Sequence, residues 1–209
     1  CDYCVGGNTG LVENYCGTVT DVDGNSYESI IIGNQVWMAE NLKVIHFRNG
    51  ESLTAGLSST HGLSAYTVYD NDETNADTYG YLYNWYAVTD SRNIAPEGWH
   101  VPTNDEWQTL VDYLGGSSVA GGKLKEADTT HWYSPNTGAT NESGFTALPG
   151  GFGNYSGPFN YMGSIAWFWS STFWQIDDAY HRRLHFDDSD VTQSGLTRRH
   201  GISIRCVKD

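Results

Sequence analysis

The sequence predicts an α+β domain, and three observations carry that prediction. β-branched and aromatic runs, broken by Asp-Gly and Gly-Asn turns, open the chain between residues 18 and 38. A capped amphipathic helix follows near the middle, from Thr103 to Leu114. Strand-like runs return at 165–169, 179–186 and 202–207. Strands, then helices, then a long irregular stretch, then strands again is not the βα alternation of a parallel sheet.

Residues 1–16 are Gly/Asn-rich without periodicity and read as an N-terminal arm or tether; 17–209 form the domain. Residues 18–21 run into the turn Asp23-Gly24-Asn25, 27–32 continue the strand character, and Gly33-Asn34 leads to 35–38, which together are hairpin signals. Asp21-x-Asp23-Gly24-Asn25 has the look of a calcium loop but lacks the later ligands and closing Glu, so it reads as a turn. Residues 46–78 are loop-like and end in Asp70-Asn71-Asp72-Glu73-Thr74-Asn75-Ala76-Asp77. Asp70, Asp72, Glu73 and Asp77 are candidate oxygen ligands there, and Ca²⁺ is the cofactor that such a run admits beside the reading as a solvated loop. Leu82, Trp85 and Tyr86 are at helical spacing and predict a short helix. Thr103 with Glu106 is a capping box, and Trp107, Leu110, Val111 and Leu114 fall at i, i+3, i+4 and i+7, so one helix covers about 104–114 before Gly115-Gly116 stops it. Residues 115–163 hold many turns and few regular elements, and loops of that length in a domain are read as functional.

The 209 residues suffice for one domain with a sizeable core. Eleven Lys and Arg stand against 25 Asp and Glu, a net charge of −14, which excludes nucleic acid as the expected partner because phosphate binding needs a basic face. No run approaches the roughly 18 apolar residues of a spanning helix, so membrane contact is expected only through a lipid. Cys1, in Cys1-Asp2-Tyr3-Cys4, is the candidate lipidation site, as in a chain cut directly before a lipid-bearing cysteine. That reading makes the protein a cell-surface, outer-membrane lipoprotein; a secreted chain is the other reading. Cys4, Cys16 and Cys206 are the disulfide candidates, and either Cys16–Cys206 or Cys4–Cys206 would staple the arm to the last strand.

Catalytic patterns are weak. There is no Gly-x-Ser-x-Gly and no phosphate loop. His181 and His185 share one face of a strand but lack a His-Glu-x-x-His context, and the adjacent pairs Asp177-Asp178 and Asp187-Asp188 point to opposite faces of a strand. The expectation is a non-catalytic protein. Binding patterns are stronger: flat rings stack on the apolar faces of sugars while amides and carboxylates fix hydroxyls. Trp132 and Tyr133, then Tyr155 and Phe159 within 152–161, then Trp174 with Asp177, supply that mixture in turn-rich segments. Such loops serve protein interfaces equally, so a glycan or another surface protein is the expected partner.

Several phrases together resemble one family. They include Ile32-Gly33-Asn34-Gln35-Val36-Trp37-Met38-Ala39-Glu40-Asn41-Leu42, Tyr79-Gly80-Tyr81-Leu82-Tyr83-Asn84-Trp85 and Gly98-Trp99-His100-Val101-Pro102-Thr103-Asn104-Asp105-Glu106-Trp107. Gly144-Phe145-Thr146-Ala147-Leu148-Pro149-Gly150-Gly151, Trp169-Ser170-Ser171-Thr172 and Ser203-Ile204-Arg205-Cys206-Val207 follow in order. The set resembles the Fibrobacter succinogenes major paralogous domain of surface and secreted Bacteroidetes and Fibrobacteres proteins, over residues 17–209. Val101-Pro102-Thr103-x-x-Glu106-Trp107 and Ile204-Arg205-Cys206 are more distantly similar to formylglycine-generating proteins. That likeness implies a C-type-lectin-like fold with two short helices, antiparallel strands and long irregular loops. It carries over no catalytic cysteine, because no Cys lies between Cys16 and Cys206. Trp85, Trp99, Trp107, Trp167 and Trp169 sit in or beside these phrases and read as core. The resemblance implies the fold and a surface or secreted address; with the ring-bearing loops, the expectation is a surface binding or adhesion module, and the alternative is a lipid-anchored accessory or structural subunit of an outer-membrane or extracellular assembly.

Overall fold

A computed structural model describes residues 15–209. The expectations for Cys1, Cys4 and most of the arm fall outside the described residues. The described residues are α+β, with mostly antiparallel sheets and four short α-helices.

The first sheet collects β1 (Tyr15–Thr20), β2 (Ser26–Ile32), β3 (Gln35–Met38), β7 (Trp99–His100) and β13 (Val207–Lys208) in the order β1-β2-β3-β13-β7. The Asp-Gly and Gly-Asn turns make the two hairpins, with Thr20 opposite Ser26 and Ile32 opposite Gln35. The calcium-like Asp21 carboxylate is filled by the chain itself: Oδ1 accepts from the N–H of Asp23 and of Asn25, and Oδ2 from the Tyr27 hydroxyl at 2.6 Å. A second sheet is the antiparallel meander β10 (Ile165–Gln175), β11 (Asp178–His185) and β12 (Val191–Thr197). Two small sheets complete the fold: β4 (Thr54–Ala55), β5 (Ala65–Thr67) and β6 (Leu82–Tyr83), and the hairpin of β8 (Gly150–Gly153) with β9 (Phe159–Met162).

The helices are α1 (Thr74–Tyr79), α2 (Trp85–Val88), α3 (Asn104–Tyr113) and α4 (Ser117–Leu124). α3 is the helix the capping box predicts: the Thr103 hydroxyl accepts from the Glu106 N–H, Glu106 accepts from the Thr103 N–H at 2.7 Å, and Trp107, Leu110 and Val111 are buried. Two helices where the sequence predicts none correct the expected pair. α1 forms within the acidic run, and α4 forms within Ser-Ser-Val-Ala-Gly-Gly-Lys-Leu, whose glycines argue against a helix by propensity. The glycines are there for backbone contact. A Cβ on Gly121 would stand 2.4 Å from the Asp190 carbonyl oxygen, and one on Gly122 would stand 2.3 Å from that of Gly138.

Residues 202–207, expected as one strand, do not form one. They cross several elements, and each residue bonds a different one: Ile202 donates to Tyr83, Ser203 accepts from Trp169, Ile204 from Leu42 and Cys206 from Met38. Cys206 is fully buried and carries no disulfide, which corrects both expected staples. Its side chain points into the core, where burial pushes the thiol pKa up.

β10 divides two apolar clusters by simple alternation. Ile165, Trp167 and Trp169 enter one with Tyr83, Trp85 and Trp99, while Ala166 and Phe168 enter the other with Trp37, Trp107, Trp132 and Phe145. Two fully buried cations pin the loops around the second cluster. Arg205 donates to Asn41 Oδ1 and to the carbonyls of Met38, Phe145 and Thr146, with its guanidinium 4.3 Å from the Phe145 ring centre. Lys125 Nζ donates to the carbonyls of Thr137, His185 and Asp188, and burial pulls its pKa down to about 8.

Candidate functional site

The sequence-predicted rings part company in the structure. Trp132 is 2 % exposed and donates its indole N–H to the Ala147 carbonyl at 2.9 Å, so it is a core residue with no ring face to offer. Tyr133 is exposed but stands by itself, edge-on to Phe186 and packed against Gly163. Trp174 lies at the far end of β10, stacked on Tyr180 at 5.1 Å and 9° over the bare backbone of Gly195. Asp177, in the turn beyond it, reaches Arg198 at 3.4 Å. The structure brings together Tyr155 and Phe159.

Those two rings line an open cleft of about 210 Å³ with Gly56, Leu57, Thr67, Asn71, Asn154 and Gly157. Phe159 starts β9, paired with Gly153, and is held against Tyr69 at 5.3 Å. Asn154 opens the turn between β8 and β9; its Oδ1 accepts from the N–H and hydroxyl of Ser156, and its amide nitrogen makes no hydrogen bond to the described residues. Asn71 ends the 3₁₀ turn Tyr69–Asn71, and its side chain likewise makes no hydrogen bond among the described residues. Asp70 and Asn71 are both left-handed, at φ 53° and 55°. Asp and Asn are the non-glycine residues that most readily take that conformation, so the pair makes a tight turn that sets Asn71 at the cleft. Tyr161, in β9, is left-handed as well (φ 69°), exposed, and stacked on Phe152.

Beside the cleft, Tyr155 joins a wall of rings and cations. The Arg199 guanidinium sits 4.2 Å from the Tyr155 ring centre, and His200 packs at 5.0 Å. His200 meets Phe152 at 5.3 Å, Phe152 meets Trp167 at 5.7 Å, and Trp167 covers His181 at 4.9 Å with Arg183 over its ring at 5.5 Å. This wall holds six of the eight buried side-chain nitrogens and oxygens that lack a hydrogen-bond partner among the described residues: Trp167 Nε1, both nitrogens of His181, Arg183 Nε, Arg199 Nε and His200 Nδ1. Buried polar atoms are rarely left so. Burial, then the charges of Arg183 and Arg182, pull the His181 pKa down to about 3, so its ring is neutral. Burial, then Arg199, lowers that of His200.

The acidic run gathers no ion cage. Asp72 Oδ1 caps the Thr74 N–H and hydroxyl, Glu73 accepts from the Tyr81 hydroxyl at 2.9 Å, and Asp70 and Asp77 point into solvent. Among the described residues the group of three or more potential ligand side chains that converges is His185, Asp187 and Asp188, where His185 Nδ1 already bonds Asp187. A second cleft, of about 250 Å³ beside Thr20 and Glu97, is lined by Arg48, whose guanidinium is committed to the carbonyls of Ala95, Pro96 and Trp99.

Sequence reasoning singles out Tyr155 and Phe159 but misses Asn71, Arg183, Arg199 and His200. The residues 198–200 carry a signal that could have found them: two arginines and a histidine in a row, in a chain short of cations.

The structure thus defines a class: an α+β domain with a ring-and-amide cleft built on loops. Family comparison places it further: the Fibrobacter succinogenes major domain matches residues 30–208, and the chain belongs to that family. No curated protein and no solved structure matches the chain.

Proposed function

We propose that this protein is a non-catalytic binding module of the cell surface or the secreted space that holds a carbohydrate in the cleft between Asn71, Asn154, Tyr155 and Phe159. The observation that carries the reading is the composition of that cleft. Two aromatic rings and two amide side chains with unused hydrogen-bonding capacity converge on one shallow, preformed hollow, as an apolar sugar face and its hydroxyls require. We further read the fold as C-type-lectin-like. Two features support this: the first and last described strands share one sheet, and long loops gather beside the β8–β9 hairpin. A lipid on Cys1 and bound calcium are parts of the reading that rest on the sequence alone.

A glycan array tests it. Wild-type protein is expected to bind a restricted set of glycans, and Tyr155→Ala or Phe159→Ala to abolish that signal with the melting temperature little changed. Retained binding in both variants would refute the cleft as the site. A second reading, an accessory subunit of a surface assembly, draws on the apolar tip of β10 and its turn, where Phe173, Trp174 and Ile176 are 50, 39 and 86 % exposed. A stable stoichiometric partner lost in Ile176→Asp, with a silent array, would favour it.

A further inference from the structure

The arginines of this acidic chain are nearly all engaged by it. Arg92 pairs with Asp90 and Glu51, Arg182 bonds Asn104, Arg198 bonds Asp177 and the Ile176 carbonyl, and Arg48 and Arg205 are held by carbonyl groups. Arg183 and Arg199 are the exceptions. Neither guanidinium makes a hydrogen bond or ion pair among the described residues, although the chain has 25 carboxylates against 11 basic side chains. Both stand on the wall described above, each guanidinium laid on a ring, and both are only partly buried, so their ends reach solvent. Arg199 is packed on Tyr155, which lines the cleft. A guanidinium stacked on an aromatic ring is held in place with its fork turned outward, the geometry that takes a planar oxyanion in two parallel hydrogen bonds.

Resting on the carbohydrate reading, we propose that the ligand is an acidic glycan whose carboxylate or sulfate is received by Arg199 at the Tyr155 side of the cleft, with Arg183 adding positive charge along the same wall.

The test is a set of calorimetric titrations with matched oligosaccharides: galacturonate and glucuronate oligomers, a sulfated galactan oligomer, their neutral counterparts, and poly-glutamate as a charge control. The expected result is at least about tenfold tighter binding of an acidic member than of its neutral counterpart, weakening with added NaCl. Arg199→Gln removes that preference and Arg199→Lys keeps part of it, with melting temperatures lowered only slightly, because among the described residues the side chain makes no hydrogen bond and only its stacking on Tyr155 is lost. The uronate and sulfate arms separate the two anions. Acidic and neutral oligomers bound alike, or a preference that survives Arg199→Gln, overturns the inference and leaves the cleft reading standing if Tyr155→Ala still abolishes binding. Poly-glutamate bound as tightly as the uronates overturns it in favour of bare charge. Silence of the whole panel overturns this inference, and the array result then decides whether the cleft reading falls with it.

Discussion

His181 shows how much one side chain on this wall reveals. It is 2 % exposed, covered by Trp167, and followed in sequence by two arginines, so it stays neutral until the pH falls to about 3. The unfolded chain takes up that proton near pH 6.5. A folded pKa below the unfolded one contributes stability that is complete above about pH 6.5 and is lost as the pH falls toward about 3. Urea denaturation of wild type and His181→Gln across that window is expected to show the wild type losing stability faster on acidification, by up to roughly 1.4 kcal/mol per pH unit. Parallel curves would mean that His181 is charged in the fold. Trp132 teaches the converse. Its Gly/Asn-rich surroundings suggest a surface ring, yet the residue is held inside by the Ala147 carbonyl and lies under the buried Lys125 ammonium. Local composition does not carry such contacts.

At the scale of elements, what could be read from sequence is what local chemistry decides. The β1–β2 and β2–β3 turns are legible because Asp-Gly and Gly-Asn suit tight hairpins, and α3 is legible because its cap and apolar stripe are both local. Thr103→Ala removes one half of the box and is expected to lower stability by about 1 kcal/mol in chemical denaturation, with the α3 packing otherwise kept. A loss below about 0.3 kcal/mol would show that Trp107 and Leu110 alone hold the helix start. α4, β8, β9 and β12 escape a local reading for one reason: their cause is distant. The glycines of α4 answer to backbone from Gly138 and from 189–190, and Gly195 in β12 answers to the ring of Trp174. The 202–207 segment looks like a strand because its side chains alternate, but its hydrogen bonds go to several separate elements.

For the whole molecule, the α+β class and the family were legible, the first from element order and the second from phrases spread along most of the chain. The site was half legible. Tyr155 and Phe159 share a turn-rich segment that sequence marks, whereas Asn71 joins them in the cleft lining and Arg199 packs on Tyr155 from far along the chain, and only folding brings them there. On the reading proposed above, this convergence is the binding surface. An NMR titration of ¹⁵N-labelled protein with the strongest glycan from the array tests it most directly. The shifted amides are expected to cluster at Asn71, 154–157, Phe159 and 199–200, while those of 173–178 stay still. Shifts confined to 173–178, with the cleft amides unmoved, would contradict it.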